Sequence, residues 1–142
     1  MATIKAFEDI QSWQKGREVC QILGNMIDQG RFAKNYRLIH QIEGSSGSIM
    51  DNIAEGFERG TRLEFVQFLG YAKGSCGELR SQLYRARDRD YITKEEFESL
   101  KSKVVSISSL IQKLISYLLK SDIAGIRKKL SPKEPKTLNP KP

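Results

Sequence analysis

A chain of 142 residues with 39% hydrophobic and 29% charged positions is one domain's worth, long enough to bury a single core. It has no apolar run of about 18 residues to cross a membrane, and its first residues lack the charged-then-apolar layout of a secretory signal. The net charge of +7 is unevenly placed. Arg127, Lys128, Lys129, Lys133, Lys136 and Lys141 against Glu134 give residues 127–142 a charge of +5, which leaves +2 for residues 1–126. All four prolines (Pro132, Pro135, Pro140, Pro142) lie in the same segment.

The first helix is predicted over Phe7 to Gln29, from the helical spacing of Phe7, Ile10, Trp13, Cys20, Leu23 and Ile27. Val19, Ile22 and Met26 widen that stripe, and Gly30 is the expected stop. The second helix is predicted over Asn35 to Glu55, with Ile39, Ile42, Ile49, Ile53 and Phe57 as its apolar row. Gly44-Ser45-Ser46-Gly47-Ser48 interrupts that row, and each glycine costs about 1 kcal/mol relative to alanine. A continuous helix is favoured over a break, with close approach of a neighbouring helix offsetting the cost.

Thr61-Arg62-Leu63-Glu64 is a capping box that opens a third helix, after Gly60 has supplied a reversal. Phe65, Leu69, Ala72, Cys76, Leu79, Leu83 and Ala86 then alternate spacings of four and three, the period of helices that cross at a shallow angle. Gly70, Gly74 and Gly77 form an adjacent strip, read as a narrow face where another backbone comes close. A second capping box, Thr93-Lys94-Glu95-Glu96, opens the fourth helix, whose row is Phe97, Leu100, Val104, Ile107, Ile111, Leu114 and Leu118. Val105, Leu110, Ile115 and Leu119 exceed what one core needs and point to a surface buried by another subunit.

The expected fold is all-α: an antiparallel up-down-up-down four-helix bundle over residues 1–126, with a disordered basic Pro/Lys-rich tail over 127–142.

The inventory for chemistry is thin. His40 is the only histidine, which rules out two-histidine metal sites within one chain. Cys20 and Cys76 lie on core stripes, where cysteine behaves as a small hydrophobe, and a reduced cytoplasmic setting is expected. No phosphate-binding glycine loop is present, because Gly70 to Gly77 falls inside a helical repeat. The sequence reads as non-enzymatic, with no catalytic residue, cofactor or metal.

Basic residues carry what signal remains. Lys73, Arg80 and Arg87 recur every seven residues and so line one face of the third helix, and Arg85 and Arg89 extend the cluster. Asp88 and Asp90 dilute it. Arg31, Lys34 and Arg37 mark the turn before the second helix, and Arg59 and Arg62 the far end of the third. Surface charges of this kind make ordinary solvated ion pairs or contact phosphate. The candidate nucleic-acid contacts are Lys73, Arg80, Arg85 and Arg87, with Arg127, Lys128 and Lys129 of the tail.

The chain resembles the four-helix-bundle proteins associated with intervening sequences of bacterial 23S ribosomal RNA genes. Phe7-Glu8-Asp9-Ile10, Trp13, Lys15, Arg17 and Glu18 look like the family's opening helix. Asn52-Ile53-Ala54-Glu55-Gly56-Phe57, with Ser48-Ile49 and Arg59, looks like its most recognisable signature. Glu64-Phe65, Phe68-Leu69, Gly74-Ser75, Glu78-Leu79, Gln82-Leu83 and Tyr91-Ile92 continue the similarity. The resemblance implies an antiparallel bundle that assembles as a ring-like homopentamer, with no established catalysis. The wider group is similar in architecture to accessory proteins of diversity-generating retroelements, so RNA and a reverse transcriptase or another protein are the implied partners, and a membrane is not. The chain departs from the pattern at Glu43-Gly44, where members often carry two basic residues, and at Met50, where they carry proline. Asn52 and Glu55 are expected to bond backbone groups at the corner between helices two and three, with Gly56 allowing close packing. Two functions follow: an oligomeric RNA-binding or ribonucleoprotein accessory bundle, or a protein-interaction scaffold that binds no nucleic acid.

Overall fold

The computed structural model describes residues 3–120. Among them are four α-helices, α1 (Gln11–Asp28), α2 (Tyr36–Glu58), α3 (Arg62–Asp88) and α4 (Lys94–Lys120), and no strand. The boundary drawn at residue 126 and the whole tail lie outside the described residues.

The first helix starts later than its periodicity predicts. Phe7–Asp9 form a single 3₁₀ turn, and Ile10 is extended before α1 begins. The Asp9 carboxylate accepts from the backbone N–H groups of Lys5 and Ala6, both at 3.0 Å. That local bonding competes with an α-helical start. At its other end, α1 stops at Gly30, which takes a φ of 75°. The Arg31 N–H bonds Met26 O and the Gly30 N–H bonds Ile27 O, a pattern that ties up carbonyls of the last turn.

Helix α2 runs unbroken through Gly44–Ser48. Close approach of a neighbour is not what offsets the glycines: a Cβ at Gly44 or Gly47 would meet nothing within 4 Å. The compensation lies on the opposite face. Leu38, Ile42, Ile49 and Ile53 are all at most 1% exposed, and burying each contributes roughly 1.5–3 kcal/mol. Serines in the same stretch are satisfied internally. Ser46 Oγ donates to Ile42 O at 2.7 Å, and Ser75 Oγ of α3 donates to Ser48 Oγ at 2.9 Å.

Every residue of the apolar rows in α3 and α4 is buried. Contacts run in opposite senses along neighbouring helices. Gln41 meets Arg85, Ser48 meets Ser75 and Gly56 meets Phe68 between α2 and α3. Tyr84 meets Phe97, and Arg62 meets Leu118, between α3 and α4. Gly16 lies against Ile49 and Met50 of α2, and Arg31 reaches Glu96 at the start of α4. The core runs down the middle and is closed at one end by two turn residues, Phe32 at 0% and Ile92 at 1% exposure.

The glycine strip of α3 behaves differently from the expectation. Gly70, Gly74 and Gly77 are exposed, and a Cβ at any of them would meet nothing within 4 Å. Among the described residues no backbone approaches that face. Val105 and Leu119 of the α4 surplus are also exposed, at 37% and 50%.

Candidate nucleic-acid interface

Two turns gather the basic residues at one end of the bundle. The α1–α2 turn carries Arg31, Lys34 and Arg37, the end of α3 carries Arg85, Arg87 and Arg89, and α4 opens with Lys94. Specific bonds lock the turns together. Asn35 caps α2 by accepting from the Leu38 N–H at 3.1 Å, and its amide donates to the Tyr91 hydroxyl across the end at 3.3 Å. Asp90 takes the left-handed position after α3, with a φ of 62°, and the Tyr91 N–H bonds Ala86 O. Thr93 and Glu96 close the second capping box in both directions: Glu96 N–H donates to Thr93 Oγ1 at 3.0 Å, and Thr93 N–H to Glu96 Oε1 at 2.8 Å.

Glu96 is the electrostatic knot of this end. Arg31 grips its carboxylate with two nitrogens, at 2.6 and 3.0 Å. Those bonds, with the Thr93 N–H behind them, hold its carboxyl at about 2. Arg31 is therefore committed to the scaffold. Arg87 is likewise engaged, donating to Asp90 Oδ1 at 2.9 Å and to Ile92 O at 3.3 Å.

The remaining cations keep their charge in hand. Arg85 donates to the neutral Gln41 amide at 2.8 Å. Arg89 lies over the Tyr91 ring, 5.8 Å from its centre. Lys34 and Arg37 are exposed and form no ion pair among the described residues. Asp88 and Glu95 share this end, so the patch is mixed, with its cationic side along the start of α2 and the end of α3.

The sequence-derived contact set is thus split by the fold. Arg85 and Arg87 sit at this end, and Arg80 is exposed further along α3. Lys73 is half-buried near the middle of that helix. Arg127, Lys128 and Lys129 lie outside the described residues, and the chain leads to them from Lys120, beside the start of α3, where Arg62 donates to Leu118 O at 3.1 Å. Sequence reasoning did not join Lys34, Arg37 and Arg89 into one surface, because only the antiparallel packing of α2 and α3 unites them. It also passed over Lys101, which lies 5.3 Å from the Tyr84 ring centre, close enough for its charge and that of Arg80 to interact.

The signature residues serve the corner between α2 and α3. A Cβ at Gly56 would fall 2.6 Å from Phe68 Cβ and 3.3 Å from the Phe65 ring, so only glycine lets the helices come this close. Asn52 does not reach the corner: its amide donates to Ser48 O and Ser48 Oγ, one turn back on its own helix, at 2.9 and 2.8 Å. Glu55 bonds a side chain rather than backbone, accepting from Arg59 at 3.1 Å. Arg59 also reaches Glu64, whose N–H is capped by Thr61 Oγ1 at 3.1 Å. The Glu64 carboxylate accepts from the Thr61 hydroxyl itself at 2.9 Å, so this box closes through the side chain.

Burial opposes thiolate formation at both cysteines: it pushes the Cys76 thiol up to about 11 and raises Cys20 as well. His40 is exposed. Among the described residues no group of His, Cys, Asp or Glu is placed to hold a metal ion, and no helix is long and apolar enough to cross a membrane.

Fold and surface together define the class: an all-α bundle of four helices with an arginine-rich end and a glycine-lined outer face. The family model described as 23S rRNA-intervening sequence protein matches residues 8–113, and the chain belongs to that family. It is similar to the crystal structure of a protein of unknown function from the S23 ribosomal protein family of Bacteroides thetaiotaomicron. The TM-score is 0.68 at 26% identity, over 73% of this chain and 97% of that one. No curated protein matches.

Proposed function

We propose that this chain is a non-enzymatic, RNA-contacting protein of ribonucleoprotein type that works as a homo-oligomer, with a pentamer as the expected ring. The observation that carries the RNA reading is the gathering of Lys34, Arg37, Arg85 and Arg89 at one end without carboxylate partners among the described residues. Unpaired guanidinium groups on a rigid scaffold suit phosphate oxygens, which they meet in bidentate fashion and without base readout. Arg80 and Lys73 extend the same charge along α3, and the basic segment 127–142 adds a second arm.

The oligomer rests on different surfaces. Gly70, Gly74 and Gly77 present a shallow strip with no described residue over it, and Val105 and Leu119 are exposed on α4. Small residues permit close helix packing, and uncovered apolar area favours assembly. The same surfaces favour a protein-interaction scaffold as the second reading, with a reverse transcriptase or another protein as its partner.

Titrating labelled RNA against salt separates the two. Under the RNA reading, log affinity falls linearly with log salt, by roughly 0.7 per single-strand phosphate neutralised. The triple variant Arg37→Ala, Arg85→Ala, Arg89→Ala lowers that slope by about 2. Affinity indifferent to salt, or no binding at physiological strength, leaves the scaffold reading standing. A slope altered by Lys73→Ala with Arg80→Ala but not by the triple variant moves the contact to the α3 face. Deleting 127–142 weakens binding if the tail is an arm.

A further inference from the structure

We propose that Tyr36 is a stacking platform for an unpaired base, so that the basic end takes single-stranded rather than double-helical RNA. This rests on the RNA reading above and narrows it.

The five tyrosines are used differently. Tyr71 packs edge-on against Phe68 at 5.3 Å, and its hydroxyl accepts from Gln67 at 2.7 Å. Tyr84 stands 4.8 Å from Phe97 with Lys101 over its ring. Tyr91 is held by Phe32, Arg89 and the Asn35 amide. Tyr117 packs against the core. Tyr36 has no ring partner, cation or hydrogen bond to its hydroxyl among the described residues, and it is 62% exposed.

Its position adds to the oddity. Tyr36 is the first residue of α2, directly between the unpaired cations Lys34 and Arg37, and next to Asn35, which links to the Tyr91–Arg89 pair. Arg37 lies one turn before Gln41, the residue that carries Arg85, so both guanidinium groups fall on one face. A large ring, 62% exposed and without a partner among the described residues, flanked in sequence by Lys34 and Arg37, is the combination that single-strand binders use: cations track the backbone while the ring receives a base. A double helix has no use for it. A-form RNA keeps its bases stacked inside and is met through its shape, its phosphates and its 2′-hydroxyls.

The two parts contribute differently, and that makes them separable. Stacking is insensitive to salt, whereas the phosphate contacts set the salt slope. The test uses the full chain and fluorescence anisotropy with an oligoadenylate of about twelve nucleotides, alone and annealed to oligouridylate. The single strand is expected to bind more tightly than the duplex. Tyr36→Ala should weaken single-strand binding by roughly 5- to 100-fold, leave the duplex affinity unchanged and keep the salt slope. Tyr36→Phe should restore wild-type affinity, because it keeps the ring and drops the hydroxyl. Circular dichroism should show all variants equally helical, since an exposed first-turn side chain carries no packing.

Equal affinity for strand and duplex, or a Tyr36→Ala variant that binds the single strand as wild type does, overturns the stacking assignment while the RNA reading survives. A wild-type chain that binds neither probe overturns both.

Discussion

Phe65→Ala is expected to destabilise the chain by about 3–5 kcal/mol, the range for truncating a fully buried aromatic ring. The ring is 1% exposed and sits 5.8 Å from Phe57 in an edge-on arrangement at 82°. What pushes the effect toward the top of the range is the stiffness of its surroundings. Gly56 already places the α2 backbone so close that a single added Cβ would lie 2.6 Å from Phe68 Cβ. Two helices in such contact cannot move further together to refill the space a lost ring leaves. The Phe65 N–H is also tied to Thr61 O at 3.0 Å, in the first turn of a capped helix, which fixes the chain on the other side. Urea unfolding at one fixed protein concentration measures the effect, since assembly would otherwise add its own stability. A midpoint shift worth less than about 1 kcal/mol would show that the corner relaxes, and would remove the packing explanation for the Asn-Ile-Ala-Glu-Gly signature.

That corner also shows what could be read from sequence and what could not. The α3 and α4 rows were legible residue by residue because strict three-four spacing has one physical solution, a continuous buried stripe. Thr61 and Thr93 were legible as caps because a hydroxyl three residues before a glutamate satisfies a helix start in isolation. Phe32 and Ile92 were not visible as core. They lie in turns, where periodicity says nothing, and are buried only because two turns fold over the same end. The glycines misled in a consistent way. Gly44, Gly47, Gly70, Gly74 and Gly77 look like close-approach positions, yet nothing among the described residues approaches them; Gly56 is the exception, packing closely at the corner as expected of it. Asn52 was misplaced because its nearest acceptors are one turn back on its own helix, a local option that spacing cannot rank against a tertiary one. The basic end was half legible: its residues were on the page, but their union is a property of the packing.

Glu96→Ala should cost about 2–3 kcal/mol at neutral pH, more than an exposed ion pair contributes. Three hydrogen bonds end on this carboxylate. Arg31 supplies two of them, and the Thr93 N–H supplies the third as half of the α4 cap. Its side chain is 29% and that of Arg31 is 31% exposed, so solvent screens the pair only in part. The bonds bind the α1–α2 turn to the start of α4, and with it the mutual placement of the cations at this end. The pH dependence follows from which form they favour. The folded chain prefers the carboxylate, with its carboxyl held at about 2 chiefly by Arg31 and then by the Thr93 N–H, whereas an unfolded chain protonates near 4.3. The contribution is therefore complete above about pH 5 and drains away as pH falls toward 2. Glu96→Gln keeps an acceptor for Thr93 but loses the charge, so its deficit against wild type should be about 1–2 kcal/mol at pH 7 and close to zero near pH 2. Urea midpoints of wild type and both variants across that range decide it. A Glu96→Gln deficit that stays constant with pH would show that Arg31 is not what holds this carboxylate ionised. The bundle end would then rest on the Asn35–Tyr91 bond, the Arg87–Ile92 bond and the buried Phe32 and Ile92.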